Sequence, residues 1–214
     1  MEAGRSKNVL NANTMTTMRH EEPLVKLSKS SENDLSVSPV VNTQAYHDAF
    51  DRLPLRKAVC ESAYKQAGRI LNATNGTEKE YLVAISSRTG ALIADNLDAP
   101  ASAYRKTGFR DSDMAKILGQ KDGVVLIHNH PMSWQPSYRD VLTAAENPRV
   151  KASLVIGHDG SLWYFSVKDH SVAANLKKSY NSGKDIRGNR AEGFALKTLL
   201  ESSSKKALDW RRLR

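Results

Sequence analysis

Four consecutive apolar residues, Val124-Val125-Leu126-Ile127, follow Gly123 and lead directly into a pair of histidines. The run is short and β-branched, which suits a strand. Its hydrophobicity is uniform rather than alternating, as expected of a central strand covered on both faces. A chain built around such a strand has to supply packing layers on either side of a sheet.

The flanking sequence supplies them. From about Thr43 to Asn72 the residues Leu55, Ala58, Val59, Ala63, Ala67, Ile70 and Leu71 recur at helical spacing, with a restart at Pro54. Residues 72–76 read as the stop. Glu80 to Ile85 reads as a strand, joined across Ser87-Arg88-Thr89-Gly90 to a second at Ala91 to Ala94, a hairpin. A helix is expected over Asp111 to Gly119, and another after Ser137, ending near Pro148. Ala152 to Ile156 and Leu162 to Val167 form a late hairpin across His158-Asp159-Gly160, and the remainder reads as helix to about Ser203. Helices before, between and after strands predict an α/β sandwich, with a mixed sheet because of the two hairpins.

Composition narrows the function classes. The chain has 214 residues, room for one domain and an appendage. Residues 1–43 are rich in Ser, Asn, Thr and Glu and are expected to be a linker or a segment with little structure of its own; residues 44–214 form the domain. No apolar stretch approaches the roughly 20 residues of a membrane span, and the N-terminus lacks the layout of a signal peptide, so a cytoplasmic protein is expected. Cys60 is the only cysteine, which excludes an internal disulfide and a thiolate zinc cluster. The net charge of +9 is concentrated late. Residues 177–214 hold eleven basic and four acidic side chains, a surface that can attract nucleic acid or simply form a solvated helix face.

The apolar strand ends in His128-Asn129-His130-Pro131, followed by Pro136-Ser137 and Asp140. Imidazoles at i and i+2 of an extended segment project to the same side. With a carboxylate from the start of the next helix they make two His, one Asp and one open position, the pattern of a catalytic zinc site. Ser137, one turn before Asp140, offers a hydroxyl to an oxyanion or a cap to the helix. A proton shuttle is still required; Glu80 is the candidate, with Glu78 as the alternative.

These residues resemble the JAB (MPN, or JAMM) metalloprotease superfamily, whose signature is an upstream Glu, His-x-His-Pro and Ser-x-x-Asp. Six residues separate His130 from Ser137, one fewer than in eukaryotic members and the RadC branch. The shorter loop resembles the JAB-like domains of bacterial phage minor-head and mobile-element proteins. The resemblance covers about residues 45–214 and is strongest over 80–164. It implies a cytidine-deaminase-like three-layer sandwich and a bacterial or phage-encoded zinc peptidase or isopeptidase. In that reading one Zn2+ per chain is held by His128, His130 and Asp140, with Glu80 and Ser137 as catalytic residues. The implied partner is a polypeptide, a ubiquitin-like or phage protein. The rival readings are a RadC-like nucleic-acid-associated module, working through the basic C-terminal region, and a phage or toxin-delivery module with a non-catalytic metal site. A zinc deaminase is excluded, because it needs Pro-Cys-x-x-Cys. His158, His170 and His20 read as turn or surface residues, and Cys60 as a packed one. Trp134 is either a lid facing substrate or a support packed over the ligands.

Overall fold

A computed structural model describes residues 23–25, 35–97, 108–202 and 206–214. After a turn of 3-10 helix (Pro39–Asn42) come two helices, α1 (Gln44–Asp51) and α2 (Lys57–Thr74), followed by the hairpin β1 (Leu82–Ser86) and β2 (Leu92–Asp95). Then come α3 (Asp111–Leu118), β3 (Val124–His130), α4 (Tyr138–Glu146), β4 (Val150–Gly157) and β5 (Leu162–Val167). The chain ends with α5 (Val172–Arg187), α6 (Ala191–Glu201) and β6 (Leu208–Arg212). The six strands form one mixed sheet in the order β2-β1-β3-β4-β5-β6. Only the β3–β4 pair is parallel; α4 makes the crossover between them.

The sheet separates two cores. On one face Val83, Ile85, Val125, Ile127, Leu154 and Ile156 pack against Val59, Ala63, Ala67, Ile70 and Leu71 of α2. On the other, Leu82, Ala84, Leu126, Val155 and Phe165 meet α3 to α6 through Ile117, Val141, Leu176 and Leu196. Every residue of β3 is buried, as its unbroken apolar run requires. Helices on both faces of a mixed sheet make the α/β sandwich expected from the element pattern.

Four features depart from the expectations of the sequence. β3 does not stop at Ile127, where the apolar run ends. Parallel pairing with β4 carries it on through His128↔Val155, Asn129↔Ile156 and His130↔Gly157, so both histidines sit on the strand itself. The C-terminal helix is two helices: Gly188 adopts φ 49°, a conformation a non-glycine residue resists, and a turn of 3-10 helix over Gly188–Arg190 restarts the chain at α6. Beyond α6 the chain adds a strand, β6, which pairs antiparallel with β5. Leu208 and Trp210 alternate with Asp209 and Arg211, and this period-two pattern marks the strand within a charged tail. Finally, within the segment expected to have little structure, Val25, Val37 and Val41 are buried in the α2-side core. The Asn42 side chain pairs with both backbone groups of Val25, at 2.8 and 2.9 Å, and Ser38 N–H donates to the His158 carbonyl at 2.7 Å. Residues 1–22 and 26–34 of that segment, including His20, lie outside the described residues.

Candidate metal centre

Leu126 lies on the α4 side of the sheet, and its placement fixes the facing of the residues after it in β3. Alternation sends His128 and His130 to the same side as Leu126, and Asn129 to the α2 side with Val125 and Ile127. Side-chain burial leaves His128 and His130 almost no contact with solvent. The rings meet edge to face, with Nε2 of His128 and Nε2 of His130 3.2 Å apart.

Asp140 arrives from α4. Ser137 caps that helix, its Oγ accepting from Asp140 N–H at 3.2 Å, while Asp140 Oδ2 accepts from Ser137 N–H at 2.6 Å. This reciprocal capping box sets the start of α4 and fixes the direction of the carboxylate at the same time. Asp140 Oδ1 lies 3.3 Å from His128 Nε2, and Oδ2 lies 3.5 Å from His130 Nε2. The cap uses only a lone pair of the Ser137 hydroxyl, whose own proton stays available to donate.

His128, His130 and Asp140 therefore present three ligand atoms within 4.8 Å of one another. Nitrogen and oxygen ligands about 2.0–2.1 Å from a tetrahedral centre lie about 3.3 Å apart. The two histidine nitrogens, 3.2 Å apart, match that edge, and Asp140 comes as near to each through a different oxygen, Oδ1 at 3.3 Å from His128 and Oδ2 at 3.5 Å from His130. The donor chemistry agrees. His130 Nδ1 lies 3.0 Å from the Trp134 carbonyl, an acceptor only, so the ring proton belongs on Nδ1 and the Nε2 lone pair faces the cluster. The residues fit a small divalent cation.

Charge in the cluster is strongly coupled. Burial works against ionised Asp140, but the two imidazoles outweigh it and hold its carboxyl well below the usual range. Burial likewise opposes protonation of His130, yet Asp140 and the Trp134 carbonyl raise its pKa. Glu80 moves the other way: burial raises its carboxyl, against the pull of His130 and His128, and Asp140 adds to the rise. Glu80 is thus within electrostatic reach of the cluster. The β1–β3 register agrees, since it pairs Leu82 with His128 and, continued by two residues, sets Glu80 opposite His130. Glu78 is exposed.

Among the remaining candidates, His158 lies in the turn after β4 but is buried, 1% exposed, on the α2 side of the sheet. Its Nδ1 meets the Leu35 carbonyl at 2.6 Å and its Nε2 meets Thr74 Oγ1 at 3.0 Å, so it braces the fold away from the cluster. His170 is half-buried, with Nδ1 2.7 Å from the Ala145 carbonyl. Cys60 is packed, 3% exposed. Trp134 is 68% exposed, and its backbone carbonyl reaches His130. That carbonyl was not legible in the sequence, since no side-chain pattern reports a backbone acceptor.

The basic C-terminal region divides between a groove on α6 and contacts within the fold. Arg187, Arg190, Lys197 and Glu201 line a groove of about 570 Å3 along α6, with Lys197 3.7 Å from Glu201 and the Arg187 guanidinium 4.0 Å from the Phe194 ring centre. Other cations are engaged within the fold: Lys177 pairs with Glu146 and Arg211 with Asp209, at 2.5 and 2.7 Å, and Arg212 lies over Trp163. A second group, His47, Asp48 and Asp51 on α1, also brings ligand atoms together but is largely exposed. No described helix is long and apolar enough to cross a membrane.

Comparison with protein-family models, curated proteins and solved structures finds no match. The class that fold and site define is an α/β sandwich carrying a buried two-histidine, one-carboxylate cluster at the end of its central strand.

Proposed function

We propose that this chain is a zinc-dependent peptidase or isopeptidase of the JAB type, with the cytidine-deaminase-like version of the sandwich. One observation carries the reading: among the described residues two imidazole nitrogens and one carboxylate converge, which leaves a coordination position open, with a fourth, protonatable side chain beside them. Bound there, zinc supplies a Lewis acid and a water acidified to near neutral pH. His128 and His130 provide neutral imidazoles, and Asp140 provides the compensating charge. Glu80 takes the proton of the attacking water and returns it to the leaving amine; its raised pKa moves it toward the pH at which such a transfer works best. The free Ser137 proton points a hydrogen bond at the developing oxyanion. The substrate is a polypeptide, approached over the exposed Met132 and Trp134 beside the cluster.

Metal analysis of chelator-free protein is expected to return about one zinc per chain, lost in His128→Ala and Asp140→Ala. Glu80→Gln should keep the metal and lose hydrolysis of an unfolded polypeptide. A wild-type chain that neither carries nor takes up zinc sinks the proposal.

A second reading, nucleic-acid association, has one specific observation behind it: a groove in which Arg187, Arg190 and Lys197 outnumber the single acid, Glu201. It requires binding that weakens steeply with salt and disappears when these three residues are neutralised.

A further inference from the structure

The middle residue of the strand motif faces away from the metal cluster and is fully buried. Its carboxamide bonds at both ends. Asn129 Oδ1 accepts from Tyr81 N–H at 2.8 Å, and Asn129 Nδ2 donates to the Lys79 carbonyl at 2.9 Å. Lys79 and Tyr81 are the two neighbours of Glu80 in the chain. The β1–β3 register begins with Leu82 opposite His128, so this segment lies just outside the regular ladder. The Asn129 side chain does there what a strand backbone would otherwise do. Tyr81 packs in the α2-side core, so alternation turns Glu80 to the opposite face, where His130 is.

The amide cannot face the other way. Flipped, its NH2 would meet the Tyr81 N–H and its oxygen the Lys79 carbonyl. His158 reinforces the orientation: with Nδ1 against the Leu35 carbonyl, its Nε2 is left as an acceptor, 3.3 Å from Asn129 Nδ2. A chain of hydrogen bonds thus runs from residue 35, through His158 and Asn129, to the backbone on either side of Glu80.

We propose that Asn129 is a positioning residue that holds Glu80 over the metal cluster by bracketing its two peptide neighbours from the far side of the sheet, with His158 fixing the direction of the amide. The proposal rests on Glu80 as the proton carrier, but its first test does not require activity or metal. Aspartate cannot replace Asn129, because it has no donor for Lys79, and glutamine is too long for the same bracket. The histidines would hold a metal on one face of β3 while the residue between them sets the proton carrier from the other.

The test uses the full chain and two readouts, with Asn129→Ala as the main variant and Asn129→Thr, better suited to a strand, should alanine prevent folding. Amide hydrogen exchange, read by NMR, should speed up about fivefold or more at Tyr81 in the variant, the size of one lost hydrogen bond, with Val125 and Ile127 unchanged. Unchanged Tyr81 exchange overturns the proposal whether or not metal binds. The second readout is the visible absorption spectrum of the cobalt(II)-loaded chain. Glu80→Gln defines the change caused by losing the carboxylate; Asn129→Ala should reproduce it, and adding Asn129→Ala to Glu80→Gln should change nothing more. A variant with faster Tyr81 exchange and a wild-type cobalt spectrum holds the segment without positioning Glu80, which also overturns the proposal. If wild type takes up no cobalt, the metal reading itself fails, and Tyr81 exchange alone decides whether the bracket exists.

Discussion

Ser137 combines a structural role with a proposed catalytic one, and substitutions can pull the two apart. Its Oγ accepts the Asp140 N–H as the helix cap, and the proposed function gives its hydroxyl proton to the oxyanion. Replacing a serine cap by alanine costs about 1 kcal/mol, whereas glycine costs only a few tenths, because the smaller residue lets water reach the exposed N–H groups. One kcal/mol is about fivefold in the folding equilibrium. An oxyanion donor is worth far more to the reaction, about 10²–10³ in rate. The Ser137→Ala variant should therefore lose about 1 kcal/mol in urea unfolding and about two orders of magnitude in hydrolysis. It should keep zinc, since Ser137 N–H still donates to Asp140 Oδ2 through the backbone. Ser137→Gly should recover most of the stability and none of the rate, and Ser137→Thr should retain both to a large degree. Unfolding midpoints, zinc content and initial rates on a fluorescent polypeptide measure the three effects separately. If glycine restores hydrolysis along with stability, the hydroxyl has no part in the chemistry and Ser137 is a helix cap alone.

Burial and charge set three further outcomes. Glu80 carries a raised pKa, so in zinc-free protein it contributes stability at low pH that is lost as pH rises and the unfolded carboxylate ionises first; Glu80→Gln should raise the urea midpoint at pH 7, with the gain disappearing below the ordinary glutamate value of 4.5. An unchanged midpoint at pH 7 would mean that Glu80 is solvated rather than held at the cluster. His158 has its pKa lowered, chiefly by burial, from the ordinary 6.5. Its neutral form is native, so the stability it contributes is present above pH 6.5 and falls as acid protonates the unfolded chain first; His158→Gln should flatten that part of the stability–pH profile. Val41, fully buried, should cost about 2 kcal/mol on truncation to alanine, for two methyl groups plus the space they leave; a loss within about 0.5 kcal/mol, typical of a surface position, would detach residues 35–43 from the core.

Much of the architecture was written in local patterns. The uniform run Val124 to Ile127 announced a strand covered on both faces, the spacing of Val59, Ala63, Ala67 and Ile70 announced the helix that covers one of them, and both hairpins declared themselves through Gly90 and Gly160. These signals are legible because side-chain periodicity and turn conformation depend on near neighbours. β6 and the break at Gly188 were harder to read. A glycine inside a charged helical stretch carries little information until its φ is known, and the alternation of Leu208 and Trp210 counts as a strand only once β5 offers an edge to pair with.

The same division runs through the candidate site. Sequence alone determined the ligand types and brought His128 and His130 to one side, because a strand alternates; it also placed Ser137 and Asp140 one helical turn apart. Tertiary structure decided the rest. Crossing from β3 through α4 brought Asp140 to within 3.5 Å of both rings, parallel pairing with β4 extended the strand through His130, and antiparallel pairing of Leu82 with His128 brought the segment that carries Glu80 alongside it. The Trp134 carbonyl and the Asn129 bracket depend on backbone groups whose positions no residue type encodes. Donor identity is a local property of a chain, whereas the distances that make donors into a centre are set by how its elements pack.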